Sequence, residues 1–208
     1  MIDLYTWSTP NGRKVSIMLE ECALPYRVHA IDIGKGDQFK SEFVAIDPNS
    51  KIPAIVDQES PDGKPFPLFE SGAILMYLAW KTGRFFPAQA IEQFQTIQWL
   101  MFQMGGIGPF FGQVHHFLRS APEPVPYAIE RYMKETRRLY GVLDRRLESE
   151  EYLATHYSVA DIATYPWVAR HEWHKVDLSD FPAVKRWFDC IGARPAVQAG
   201  MKVPQIVR

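Results

Sequence analysis

The stretch Ile2-Asp3-Leu4-Tyr5-Thr6-Trp7-Ser8-Thr9-Pro10-Asn11-Gly12-Arg13-Lys14-Val15 decides the fold. Ile2 to Trp7 reads as a strand, with aromatic and β-branched residues set among polar ones. Pro10-Asn11-Gly12 breaks it. From Arg13 the apolar residues Val15, Met18, Leu19 and Cys22 recur at helical spacing, and Leu24-Pro25 stops the helix. Tyr26 to Ile33 is a second strand-like run. A strand, a helix and a strand in this order predict a βαβ unit.

Outward from that unit the pattern continues. Gly34-Lys35-Gly36 is a turn, Asp37 to Ile46 is short and partly helical, and Asp47-Pro48-Asn49-Ser50 is a turn cluster. Ile52 to Asp57 predicts a third strand. Pro53 belongs at its start, because proline cannot donate to a ladder. A turn over Ser60 to Lys64 and a short strand over Pro67 to Phe69 follow. Ser71 then opens a helix with Ala73, Ile74, Tyr77 and Leu78 on one face. Residues 1–82 are therefore expected to form a small α/β domain of order β-α-β-α-β-β-α, and 83–89 a linker with Gly and Pro.

Residues 90–208 are expected to be all-helical. Ile91, Phe94, Ile97, Leu100, Met101 and Met104 form one stripe, which Gly105-Gly106 and Gly108-Pro109 kink rather than end. The proline-rich Ala121 to Pro126 precedes the cleanest helix, carried by Ile129, Tyr132, Met133, Thr136, Leu139, Tyr140, Leu143 and Leu147. Helices over Ser158 to about Trp173 and Pro182 to Ile191 complete the domain. Ser158 and Asp161 have the spacing of a reciprocal helix cap, with Tyr157 and Ile162 placed to close an apolar staple.

Composition narrows the function. The chain has 208 residues with 23 Lys plus Arg against 24 Asp plus Glu, a balance that argues against nucleic acid or an anionic membrane as partner. No apolar run approaches the ~18 residues of a membrane span. The N-terminus Met1-Ile2-Asp3-Leu4 has no basic n-region and no small-residue cleavage site, so no signal peptide is expected. The two cysteines, Cys22 and Cys190, form no C-x-x-C and no bridged framework, so both are expected to be reduced thiols in a cytoplasm. Cys22 falls on the apolar helix face and is expected to be buried and inert, and Cys190 similarly. His115 and His116, adjacent on a helix, diverge and are joined by no Cys/His cluster, so no metal site is expected.

Four segments, in order, carry a resemblance: Thr9-Pro10-Asn11-Gly12, Lys51-Ile52-Pro53-Ala54, Glu70-Ser71-Gly72-Ala73-Ile74, and the cap from Ser158 to Asp161. With an α/β domain leading into an all-α one, the chain resembles cytosolic glutathione transferases over essentially its whole length. Gly34-Lys35-Gly36-Asp37-Gln38-Phe39, Gly105-Gly106-Ile107-Gly108-Pro109, His115-His116-Phe117 and Pro126-Tyr127-Ala128-Ile129-Glu130-Arg131-Tyr132 point to one branch. They resemble the bacterial Nu-class enzymes, glutathione-dependent disulfide-bond oxidoreductases related to the yeast prion protein of the same fold.

The resemblance implies a thioredoxin-like first domain that binds glutathione. Where glutaredoxin-like relatives carry C-P-x-C, this chain carries Thr9-Pro10-Asn11-Gly12, so the reactive thiol must arrive with the tripeptide. A helix N-terminus with Thr9 and Asn11 as donors favours the thiolate. Lowering a thiol from a pKa of ~8.5 to ~7 takes about 2 kcal/mol. A turn and cap with no chemical role is the competing reading of Thr9 and Asn11. Tyr5 lies inside the first strand and is misplaced as a thiol partner, while the adjacent Ser8 stays open.

The resemblance further implies that Glu70 and Ser71 take the γ-glutamyl ammonium and carboxylate. Pro53 is cis and lets Ile52 pair with the cysteinyl backbone, Gln38 and Lys51 hold the glycyl carboxylate, and Arg131 helps hold a second glutathione. Lys51 as an ordinary solvated lysine, Ser71 as a simple cap, and Arg131 as a solvated helix residue are the alternatives. The expected ligand is one glutathione, two, or glutathione disulfide; the expected assembly is a homodimer. The expected activity is reduction of small disulfides without a protein cysteine. A conjugating transferase and a non-catalytic glutathione-binding module are the rival readings.

Overall fold

The computed structural model describes residues 1–205. The chain forms two compact units, Met1–Arg84 together with the segment beginning at Arg194, and Phe85–Ala193.

The first unit is built on a mixed sheet of four strands: β1 (Ile2–Thr6), β2 (Tyr26–Ala30), β3 (Ala54–Asp57) and β4 (Phe66–Phe69), in the order β2-β1-β3-β4. β1 runs parallel to β2 with Thr6 opposite Ala30, and antiparallel to β3 with Tyr5 opposite Ala54. β3 runs antiparallel to β4 with Ala54 opposite Phe69. Three helices belong to the same stretch: α1 (Pro10–Glu21), the single turn α2 (Ser41–Val44) and α3 (Ser71–Thr82). Ile2, Leu4, Val15, Ile17, Met18, Leu19, Ile55, Ile74, Leu75 and Leu78 are its fully buried core.

Boundaries differ from the pattern-based expectation at α1, β2, β3 and β4, the last starting at Phe66, one residue before Pro67. α1 starts at Pro10, not Arg13. Proline fits the first turn because its missing N–H would have had no helical partner there. β2 ends at Ala30, three residues before Ile33, where Asp32 begins a turn that its carboxylate and that of Asp37 organise. β3 starts at Ala54, after Pro53, and the Ile52–Pro53 peptide is cis.

A last short helix of this unit, which the linear pattern had not resolved, lies at Pro195–Gly200 and packs closely on α1. A Cβ on Gly200 would sit 2.5 Å from the Ile17 Cα, and Ser16 Oγ donates to the Gly200 carbonyl at 2.7 Å. Arg194 clamps Glu21 at the end of α1 with a bidentate pair, Nε to Oε1 at 2.6 Å and Nη2 to Oε2 at 2.9 Å.

The described residues of the second unit form helices joined by turns, with no strand among them. α4 (Ala90–Phe102) passes through a π-helical turn at Gln103–Ile107 into α5 (Gly108–His115), so the glycines perturb one long rod without ending it. α6 (Pro126–Ser149) is the long amphipathic helix, burying Thr136, Leu139, Tyr140, Leu143 and Leu147. α7 (Val159–Val168) is shorter than the expected run to Trp173, ending where a 3₁₀ turn takes over at His171–His174. α8 (Pro182–Gly192) is capped by Asp144, whose Oδ1 accepts from the Ala183 and Val184 N–H groups at 2.9 and 3.0 Å. The Pro195–Gly200 helix is α9.

The Ser158–Asp161 cap forms as its spacing implies. Asp161 Oδ2 accepts from the Ser158 N–H at 3.0 Å, and Ser158 Oγ from the Ala160 N–H at 3.3 Å. Asp161 does more than cap. Its Oδ1 also accepts from the Leu153 N–H and from Trp187 Nε1. The Tyr157 ring packs edge-on against Phe85.

Candidate functional site

The register of the sheet brings separate loops to one end. β1 leaves the sheet at Thr6, β3 enters at Ala54, β4 leaves at Phe69, and β2 leaves at Ala30, all at the same edge of the paired residues. The Trp7–Thr9 loop, the Lys51–Pro53 turn, the Glu70–Ser71 corner and the segment carrying Gln38 therefore start from that edge. The N-termini of α1 and α3 open there too.

Thr9 is the N-cap of α1, extended at φ −120°, and its Oγ1 accepts from the Gly12 N–H at 3.1 Å. Its hydroxyl hydrogen is left to donate elsewhere. Gly12 is required by a close approach: a Cβ there would lie 2.4 Å from both Thr6 Oγ1 and the Trp7 carbonyl oxygen. Asn11, half-buried, sits in the first turn. Ser8 Oγ accepts from Arg13 Nη2 at 3.0 Å.

Buried Asp47 holds the next turn, accepting from the Asn49 and Lys51 N–H groups at 2.8 and 3.1 Å. The Lys51 side chain is exposed, and Ile52 lies beyond the last paired residue of β3. The Gln38 Oε1 is buried and has no hydrogen-bond partner among the described residues. A buried carbonyl left without a donor is rare enough to point to a missing partner.

Glu70 is exposed and is the N-cap of α3 with φ +68°, a conformation that costs an ordinary residue of order 1–3 kcal/mol and recurs at binding corners. Ser71 is not the cap; it is the first helical residue and is buried, and its Oγ accepts from Lys14 Nζ at 3.2 Å. Burial pushes the Lys14 ammonium down to about 7, with Glu70 opposing the shift. Lys14 went unnoticed in the sequence, although it stands one turn before Met18 on the apolar face of α1.

Within the second unit, Arg131 is exposed on α6 and lines a cleft of about 450 Å³ with Phe110, Tyr127, Glu130, Lys134, Glu135 and Arg138, the last held bidentately by Glu135 at 2.7 Å. Phe111 is core, stacked on Tyr140. His115 stacks on His174, and burial pulls its imidazole down to about 4. Cys22 is buried beside Thr82, and burial raises its thiol above the usual range. Cys190, expected to resemble it, is exposed instead, on the solvent side of α8. Among the described residues no helix is long and apolar enough to cross a membrane.

Comparisons with known proteins match this architecture. The family model for the glutathione S-transferase N-terminal domain matches residues 9–80, and that for the C-terminal domain residues 109–195. The disulfide-bond oxidoreductase YfcG of Escherichia coli is 52% identical over 208 residues, covering 99% of this chain and 97% of its own. A glutathione transferase from Burkholderia graminis, crystallised with two glutathione molecules per subunit, superimposes with a TM-score of 0.93. It is 49% identical and covers 99% of this chain and 89% of its own. One from Pseudomonas putida, with one glutathione disulfide per subunit, gives a TM-score of 0.94 at 47% identity, covering 98% and 91%.

Proposed function

Because the chain belongs to the glutathione S-transferase family, we propose that it is a Nu-class, glutathione-dependent disulfide-bond oxidoreductase whose own cysteines take no part in turnover. The observation that carries this reading is the cap at Thr9. Where a redox pair would stand in a glutaredoxin-like loop, the chain presents a hydroxyl and a helix N-terminus, a thiolate-binding device without a thiol.

Glutathione, when bound, supplies the thiolate that exchanges with a disulfide. The protein's residues bind and ionise it. Thr9 donates its hydroxyl hydrogen to the sulfur, Asn11 adds a donor, and the α1 N-terminus favours the negative charge. Ile52, outside the ladder, offers its backbone to the cysteinyl residue in the manner of an added strand. Gln38 and Lys51 take the glycyl end, and the lone Gln38 Oε1 fits a ligand N–H. Glu70 takes the γ-glutamyl ammonium and Ser71 its carboxylate.

Arg131, with Lys134 along the same cleft, suits a second glutathione or the carboxylates of a disulfide substrate, while Arg138 is taken up by Glu135. We further propose a homodimer. Trp80 on α3, 65% exposed, and Ile91 and Phe94 on α4, 73% and 68% exposed, are large apolar groups of the kind a second copy covers. The free thiols fit a reducing cytoplasm.

The deciding experiment compares glutathione-driven reduction of hydroxyethyl disulfide with conjugation of chlorodinitrobenzene. Dominant reduction is expected. Dominant conjugation would favour an electrophile-conjugating transferase, and tight glutathione binding with neither activity a binding module. Sedimentation should give a species of twice the chain mass.

A further inference from the structure

We propose that the second unit carries an oxyanion site of its own, built to take a phosphate group, where Arg119 and Arg170 meet at Trp173. Arg119 lies in the π-helical turn His116–Ser120 that follows α5, and Arg170 precedes the 3₁₀ turn His171–His174. Both guanidiniums reach one indole: the Arg119 Cζ lies 4.2 Å and the Arg170 Cζ 4.1 Å from the Trp173 ring centroid. A ring face attracts a cation but leaves its N–H donors to other partners. Among the described residues no carboxylate pairs with either arginine. Burial and the Arg119 charge both pull the Arg170 guanidinium below its ordinary range.

Three buried nitrogens of this cluster have no hydrogen-bond partner among the described residues: Arg170 Nε, His115 Nε2 and His174 Nε2. Their groups adjoin. The His115 ring centroid lies 5.3 Å from that of Trp173 and 4.5 Å from that of His174. His174 is 1% exposed and its Nδ1 is taken by the Tyr140 hydroxyl at 2.9 Å, so Nε2 is its one open atom. Buried polar nitrogens are normally bonded, and three together mark a place where a partner rich in acceptors belongs. The cluster is graded by depth. Arg119 is exposed, Trp173 is 37% exposed, Arg170 and His115 are half-buried, and His174 is closed off. An anion entering from solvent beside Arg119 meets the inner donors last.

Two permanent positive charges beside one ring call for more than one negative charge. A carboxylate brings one charge and two oxygens, enough for one guanidinium fork. A phosphate group brings nearly two charges and three strong acceptors, enough for both forks and for an imidazole N–H behind them. Burial, with the Arg170 and Arg119 charges, pulls the His115 imidazole down to about 4, so it meets the ion as a neutral donor and not as a third cation. Neither arginine is among the residues assigned to glutathione, and the site holds with or without that reading.

The test is a nuclear magnetic resonance titration of the full chain at constant ionic strength, following the Trp173 indole N–H and the His115 and His174 ring signals. Inorganic phosphate, glycerol 2-phosphate and acetate are the probes. Saturable shifts with phosphate are expected, with acetate at least tenfold weaker. Tighter binding of inorganic phosphate marks the free ion as the ligand, and tighter binding of glycerol 2-phosphate marks a phosphomonoester. Arg119→Met and Arg170→Met should each weaken phosphate binding at least tenfold, the size expected for charged hydrogen bonds. Arg119→Met alters an exposed side chain, so the comparison stands even if Arg170→Met does not fold. No saturation in the wild type, or equal affinity for acetate, would overturn the site. So would undiminished phosphate binding in Arg119→Met, which marks an adventitious ion only.

Discussion

The Thr9 hydroxyl caps α1 by accepting from the Gly12 N–H at 3.1 Å, so one oxygen starts the helix in the loop that leaves β1 at the end of the sheet where the loops meet. Thr9→Ala therefore removes two things. Loss of the cap should cost ~0.5–2 kcal/mol of stability. Loss of the hydroxyl donor should raise the pKa of bound glutathione thiol by about one unit. Thr9→Ser keeps both functions and should behave as wild type. Urea unfolding and thiolate absorbance of the bound tripeptide separate the two effects. An unchanged thiol titration in Thr9→Ala would remove Thr9 from the chemistry and leave it a cap.

Gly12→Ala should be more damaging than its chemistry suggests. The added Cβ would stand 2.4 Å from the Trp7 carbonyl oxygen, which is main chain and cannot rotate away. Either the loop or α1 must move. The expected result is a destabilisation of about 1–3 kcal/mol and at least tenfold weaker glutathione binding. Normal affinity in a destabilised Gly12→Ala protein would mean that the loop does not set the ligand position.

Replacing both cysteines should leave turnover within about twofold, since the reactive sulfur belongs to the ligand. Cys22 lies 8% exposed, and burial raises its thiol above the usual range, so it is a poor nucleophile. Cys190 is exposed on α8 beside the Tyr152 hydroxyl, with no second thiol to pair with. Cys22→Ala with Cys190→Ser, assayed against hydroxyethyl disulfide, checks this. Abolished turnover would reverse the proposed mechanism.

How much of this was legible in the chain depends on the range of each interaction. The βαβ start, the proline before β3 and the Ser158–Asp161 cap are written in neighbouring residues, and local turn and capping chemistry suffices to read them. The start of α1 was misplaced because Pro10-Asn11-Gly12 has the composition of a turn, and only the Thr9 bond to Gly12 marks it as helix. Lys14 escaped for a different reason. It is buried and its ammonium bonds Ser71, 57 residues away, whereas a lysine in a linear pattern looks like solvated surface. The docking of α9 on α1 rests on Gly200 meeting Ile17, and no local period encodes a contact at that separation.

Asp161 gives a pH signature. Burial pushes its carboxyl up to about 6, despite the donors from Leu153, Ser158 and Trp187. In the unfolded chain the same group titrates near 3.9. Between those values the native state holds the extra proton, so this group's contribution to stability is full below about pH 4 and is lost as pH rises to about 6. Asp161→Asn cannot titrate and should lack that slope. Urea unfolding of both proteins from about pH 4 to pH 8 should give a stability difference that shrinks with rising pH. A difference independent of pH would mean that Asp161 titrates normally in the fold.

Arg131 separates substrate recognition from thiol activation. It is exposed on α6 in a cleft shared with Lys134, while Glu135 neutralises Arg138 and Glu130 adds a carboxylate, so Arg131 and Lys134 are the cations there that can meet a ligand carboxylate and have nothing to hold on a neutral disulfide. Arg131→Met should raise KM several-fold for glutathionylated substrates and leave KM for hydroxyethyl disulfide within about twofold, with kcat little changed in either case. The loss should fade with added salt, because screening weakens an exposed cation most. Equal losses on both substrates would place Arg131 with the ionising machinery. No loss on either would return it to the solvated surface of α6, and the second ligand would need a different anchor.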